Sequence, residues 1–78
     1  MIYTVYSVPN CEFCEKAISL IARNNYGVAI RAARDLTAKE WKEKIGFVPK
    51  TAPQILLGSE YVGNYDGLVK HFADKAKL

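Results

Sequence analysis

The 78-residue sequence predicts a small α/β sandwich, a four-stranded mixed sheet flanked by helices, in the order β-α-β-α-β-β-α. Three observations predict it. Short β-branched and aromatic runs alternate with apolar stripes at helical spacing, the first strand-helix-strand unit requires a right-handed parallel crossover, and a late hairpin signal extends the same sheet. A chain of this length is expected to form a single domain over residues 1–78, burying roughly 60% of its unfolded surface.

Ile2 to Ser7 has the composition of a strand, and Val8-Pro9-Asn10 ends it because proline has no amide hydrogen to give the ladder. From Cys11, the apolar stripe Cys14, Ala17, Ile18, Ile21 and Ala22 predicts a helix of about fourteen residues, stopping at Asn24-Asn25 with Gly27 beyond. Val28 to Ala33 reads as a second strand. Thr37-Ala38-Lys39-Glu40 has the form of a capping box, and the helix it opens runs to Ile45 and stops at Gly46. Ala38, Trp41 and Ile45 share its inward face, which assigns the lone tryptophan to packing. The stretch "QILLGSEYVG" is two strands around a turn at Gly58-Ser59-Glu60. Asp66 is placed to cap a last helix with Leu68, Val69, Phe72, Ala73 and Ala76 on its apolar side. Lys70, Lys75 and Lys77 complement the negative end of its dipole.

Half the residues are hydrophobic and 24% are charged, with no repeat or low-complexity run, which excludes a disordered or solenoid protein. The net charge of +3 comes from basic residues interleaved with acids, as in "AKEWKEK", so no nucleic-acid partner is expected. The start "MIYTVYSVPN" has no basic leader or cleavage site, and no membrane-length apolar run occurs. We expect a cytoplasmic protein with no membrane partner.

Both cysteines lie in "VPNCEFCEK", where three chemistries compete. A structural disulfide across so short a loop removes little entropy from the unfolded chain, and nothing marks the protein for an oxidising compartment. Zinc asks for four ligands, but there is no third cysteine, and the lone His71 is expected at a helix surface. Redox chemistry suits the placement. A cysteine in the first turn of a helix faces free amides and the positive dipole end, which favour the thiolate, so Cys11 reads as the attacking nucleophile. Cys14, three residues on along the same face, reads as the resolving thiol.

Around these cysteines the sequence resembles the glutaredoxins of the thioredoxin superfamily over nearly its whole length. The family's Cys-Pro-Tyr-Cys is matched by Cys11-Glu12-Phe13-Cys14, with Tyr6 at the usual upstream tyrosine. Its Thr-Val-Pro-Gln is matched by Thr51-Ala52-Pro53-Gln54, and its Gly-Gly-Tyr-Asp-Asp-Leu by Gly63-Asn64-Tyr65-Asp66-Gly67-Leu68. The resemblance implies a thioredoxin-like fold and a dithiol–disulfide oxidoreductase acting on protein disulfides or glutathione mixed disulfides. It further implies glutathione as co-substrate, no permanently bound cofactor, no metal, and a monomer. Tyr6, Phe13, Thr51, Ala52, Pro53, Tyr65 and Asp66 become the expected substrate and glutathione contacts, with Ala52–Pro53 cis and the Ala52 backbone pairing with substrate. The amides of Tyr65 and Asp66 would hold a glutamyl carboxylate at a helix N-terminus, and Asp66 is either the ammonium partner, an N-cap, or both.

The departures from the pattern also carry expectations. Val8 stands where many glutaredoxins have a lysine, Asn64 replaces the second glycine, and Gly67 the second aspartate. Lys50 either restores a cation or is simply solvated. The forms "PKTAPQ" and "GNYDGL" are similar to those of phage-encoded glutaredoxins, which implies ribonucleotide reductase as an electron acceptor. Recharging by thioredoxin reductase is the alternative of the same fold, and a glutathione-dependent iron–sulfur cluster carrier or a redox-silent interaction module the alternatives of another class. Glu12 and Glu15 oppose the Cys11 thiolate, each by about 0.6 kcal/mol at ~7 Å in a water-like dielectric. Glu12 is therefore read either as a redox-tuning residue or as a first-turn helix stabiliser.

Overall fold

The computed structural model describes residues 1–76. β1 (Ile2–Ser7), α1 (Glu12–Arg23), β2 (Gly27–Ala32), α2 (Ala38–Ile45), β3 (Gln54–Leu57), β4 (Glu60–Gly63) and α3 (Tyr65–Ala76) follow in the predicted order, with one short 3-10 turn at Ala33–Asp35. The strands lie in the order β2-β1-β3-β4, with β1 and β2 parallel and β3 antiparallel to both β1 and β4. Connectivity explains the mixture. The helical crossover returns the chain parallel, whereas the short turn through Gly58, at φ 60°, returns it antiparallel.

Alternation along β1 builds two cores. Tyr3 and Val5 point to one face, where they pack with Ala17, Ile21, Ile55 and Leu68, while Tyr6 points to the other with Trp41 and Leu56. α1 and α3 therefore cover one face, and Trp41 anchors α2 on the opposite one. Its ring stands 5.0 Å from that of Tyr6 and its indole N–H donates to the Ala33 carbonyl at 3.3 Å, so the tryptophan is packing, as expected. The capping box is formed: the Glu40 amide donates to Thr37 Oγ1 at 3.2 Å and the Thr37 amide to Glu40 Oε1 at 2.9 Å. The bond from the Thr37 backbone, then that from its side chain, pulls the Glu40 carboxyl below its usual pKa.

Several boundaries differ from expectation. α1 starts at Glu12, with Cys11 as its N-cap, and stops at Asn24-Asn25 as expected, with Asn25 in left-handed conformation at φ 65°, while β2 opens one residue early, at Gly27. β2 ends at Ala32 because Ala33 enters the 3-10 turn. Ala22 and Ala38 are exposed.

The largest correction concerns α3. Leu68, His71 and Phe72 turn inward, and Val69, Ala73 and Ala76 are exposed. Two adjoining stripes satisfy helical spacing here, and a buried phenol selects between them. Tyr3 is fully buried, and its hydroxyl lies 2.8 Å from His71 Nε2, so His71 is half-buried and partnered instead of lying at the surface. Burial, then the neighbouring Tyr26 and Glu60, pushes the Tyr3 pKa up. Lys77 lies outside the described residues. Among the described residues no helix is long and apolar enough to cross a membrane.

Candidate active site

β1 delivers the chain to the cysteines at one end of the sheet. Asn10 turns it through a left-handed residue, at φ 56°, and Cys11 then takes the extended backbone of an N-cap, at φ −110° and ψ 102°. The position is one residue earlier than the expected first turn, and it aims Sγ back at the free amides. The Cys14 amide donates to Cys11 Sγ at 3.1 Å, a bond that favours negative charge on that sulfur once reduced. The two cysteines are joined as a disulfide with Cα atoms 5.2 Å apart. They differ in access: Cys14 is 2% exposed, whereas Cys11 is only half-buried. An incoming sulfur reaches Cys11 first.

The Ala52–Pro53 bond is cis, and the Ala52 carbonyl oxygen lies 3.9 Å from Cys11 Sγ. In the oxidised pair this is a contact, since a disulfide sulfur carries no proton to donate. Register brings the two segments together, because Tyr6 of β1 pairs with Gln54 of β3 and so sets both connecting loops at one sheet end. Phe13, Thr51, Ala52, Pro53, Tyr65 and Asp66 line one groove of about 230 Å³, with Asn64 beside them. The Phe13 and Tyr65 rings, 5.6 Å apart, form its aromatic wall. Six of the seven expected contact residues are thus gathered from three distant segments.

Tyr6 is not gathered with them. β-strand alternation turns it to the α2 face, where it lines a different groove with Leu36, Glu40, Glu43 and Lys44. Asp66 is the second residue of α3 and does not cap it. The cap is Asn64, whose Oδ1 accepts from the Gly67 amide at 3.0 Å, leaving the Asp66 carboxylate exposed at the groove. An asparagine immediately before a helical run is itself a capping signal, obscured here by comparison with a glycine. Val8 is 44% exposed and lines a second groove, of about 380 Å³, with Lys50, Thr51, Ala52 and Arg34. Arg34 carries no signal in the sequence, and Gln54 appears there only as the last residue of the Thr51–Gln54 motif, with no role assigned. Glu12 pairs with Lys16 at 3.4 Å, and the Lys16 ammonium also stands 5.1 Å from the centre of the Phe13 ring. Among the described residues, no cluster of three or more His, Cys, Asp or Glu side chains is placed to hold a metal ion.

Comparison with known proteins agrees with this geometry. Reduced Escherichia coli glutaredoxin superposes with a TM-score of 0.81 at 19% identity, covering 100% of both chains. Francisella tularensis glutaredoxin 1, in complex with cacodylate, gives 0.77 at 26% identity, covering 96% of this chain and 94% of the other. The buckwheat glutaredoxin–glutathione complex gives 0.74 at 15% identity, covering 94% of this chain and 69% of the other. No match was found among curated proteins. A family model described as Glutaredoxin matches residues 3–62, which include the Cys11–Cys14 pair, the cis-proline loop and most of the sheet; the chain belongs to the glutaredoxin family.

Proposed function

We propose that this thiol–disulfide oxidoreductase reduces glutathione mixed disulfides and protein disulfides, with glutathione restoring its dithiol. The observation that carries the reading is the groove beside Cys11, where Phe13, the Thr51–Pro53 loop and the Tyr65–Asp66 helix start meet. Its chemistry fits a γ-glutamyl peptide. Free amides at the start of α3 suit a carboxylate, the exposed Asp66 carboxylate suits an ammonium, and the backbone at Ala52 suits an extended peptide strand. The buckwheat relative was solved with glutathione, which supports the same ligand class.

The reaction then follows from access and polarity. Cys11 thiolate attacks one sulfur of the substrate disulfide, the S–S bond breaks, and the departing thiolate takes a proton. Cys14 loses its proton and attacks Cys11 Sγ, releasing the second substrate thiol and leaving the Cys11–Cys14 disulfide. Two glutathione molecules reverse the oxidation, the first forming a mixed disulfide and the second leaving as glutathione disulfide. In this reading the protein works as a cytoplasmic monomer, and ribonucleotide reductase is one protein acceptor.

One observation favours a second reductant. Among the residues lining this groove there is no cation, and Val8 occupies the place of the family's lysine. Thioredoxin reductase would then recharge the same disulfide. The experiment presents the oxidised protein either to glutathione with glutathione reductase or to thioredoxin reductase with NADPH. Recovery of two thiols only in the first arm supports glutathione, recovery only in the second replaces it, and recovery in neither overturns the reading.

A further inference from the structure

Gln54 is the one buried amide side chain among the described residues, 3% exposed at the head of the apolar strand β3. A leucine would fill such a position without desolvating an amide, so what the amide touches matters. Its Nε2 donates to the Thr51 carbonyl at 2.9 Å and meets Thr51 Oγ1 at 3.4 Å, and its Oε1 accepts from the Tyr61 hydroxyl across the β3–β4 pair. Because the Thr51 carbonyl can only accept, the amide's orientation follows. Tyr61 is braced in turn by the Phe47 ring, 5.8 Å away and edge-on. A tyrosine hydroxyl is protonated at neutral pH, and desolvation pushes the Tyr61 pKa further up, so it stays a donor.

The consequence passes through one rigid peptide unit. The Thr51 carbonyl and the Ala52 N–H belong to the same planar amide and point in opposite directions, so a side chain that grips the oxygen also sets the direction of the N–H. Ala52 lines the groove, and its own carbonyl stands 3.9 Å from Cys11 Sγ. We propose that Gln54, held by Tyr61, is a positioning residue that aims the Thr51–Ala52 peptide at the disulfide substrate, governing substrate pairing and not the chemistry of the cysteine pair. The proposal rests on the reading that a peptide disulfide is bound along this loop.

The test compares Gln54→Leu, Gln54→Glu and Tyr61→Phe with the parent protein. Each is assayed for KM and kcat on a glutathionylated peptide, for the Cys11–Cys14 reduction potential, and for the Ala52 amide resonance by NMR. Gln54→Leu is expected to raise KM about two- to tenfold, the span of one hydrogen bond, with the reduction potential unchanged and the Ala52 amide displaced. Gln54→Glu sets a carboxylate against the Thr51 carbonyl and gives a larger rise in KM. Tyr61→Phe gives a smaller one, and adding it to Gln54→Leu costs nothing more, since both act through one brace. An unmoved Ala52 amide in a folded Gln54→Leu protein overturns the proposal, and so does an unchanged KM when the parent turns over. A parent without turnover whose Ala52 amide still moves in the variant supports the brace and refutes only the reading of the site.

Discussion

Gly67→Ala sets two effects of similar size against each other. Gly67 is the third residue of α3, where alanine is the better helix former and glycine has more freedom to lose on folding. Those terms alone favour the variant by about 0.4–1 kcal/mol. However, a Cβ at this position would stand 2.8 Å from the Val62 carbonyl oxygen, a backbone atom of β4, against an ordinary carbon–oxygen approach of about 3.3–3.6 Å. Relief requires the first turn of α3 to move off β4 by roughly half an ångström, and overpacking of this kind costs about 1–3 kcal/mol. The contact wins by about 1 kcal/mol. At the size of this domain that lowers Tm by roughly 4–8 °C. The assay is thermal unfolding followed by circular dichroism, with Gly27→Ala as control. There the Cβ meets Ile2 Cγ1 at 3.3 Å, a side-chain atom of an exposed residue with room to give by a few tenths of an ångström, so little change is expected. A Gly67→Ala protein as stable as the parent, or more so, would refute the argument. The same displacement carries Tyr65 and Asp66, so the variant should also bind glutathione more weakly.

Three further outcomes are expected. Cys11→Ser abolishes turnover, whereas Cys14→Ser traps a mixed disulfide on Cys11 that mass spectrometry detects; an adduct on Cys14 in Cys11→Ser and none in Cys14→Ser reverses the assignment. Glu12→Gln raises the Cys11 thiolate fraction at low salt and makes the protein a slightly weaker reductant, as read by thiolate absorbance and a glutathione redox equilibrium. Lys16, 3.4 Å from the carboxylate, keeps its charge in both proteins, so the difference reads the Glu12 charge alone, and an unchanged titration would leave Glu12 a helix-end residue only. The Glu40 carboxyl is depressed by its bonds to Thr37, so its contribution is present above the usual glutamate pKa and fades as pH falls through the lower folded value. Thr37→Ala loses about 1 kcal/mol at neutral pH by chemical denaturation, mostly the bond from the Glu40 amide, which acid leaves intact, and only the smaller part owed to the Thr37 side chain beside the carboxylate should fade in acid; a deficit that grows in acid would refute the assignment.

Much of the fold is legible because its signals are local. Proline after Ser7, the Thr37–Glu40 box, the left-handed Gly46 and the Gly58 turn each act on neighbouring backbone, and each recurs in the structure where the residues place it. The cysteines were legible as a redox pair for the same reason, since their strand-to-helix junction is a property of a dozen consecutive residues. The groove residues were named through family resemblance, and nothing in their own spacing brings them together.

Local signals along the chain set the element order, the caps that start and stop α2, and a pair of cysteines at the head of α1. Which stripe of α3 turns inward depends on long-range packing, because the apolar pattern allows two and the choice belongs to the Tyr3 hydroxyl, sixty-eight residues from its partner His71. Such packing likewise turned Tyr6 away from the groove, since strand alternation has meaning only once the face covered by α2 is known. It also set the Ala52 carbonyl beside Cys11, forty-one residues away in the chain, through the pairing of β1 with β3. Local free energies act over a few residues, but a site of this kind is a meeting of loops, and sheet register determines which loops meet.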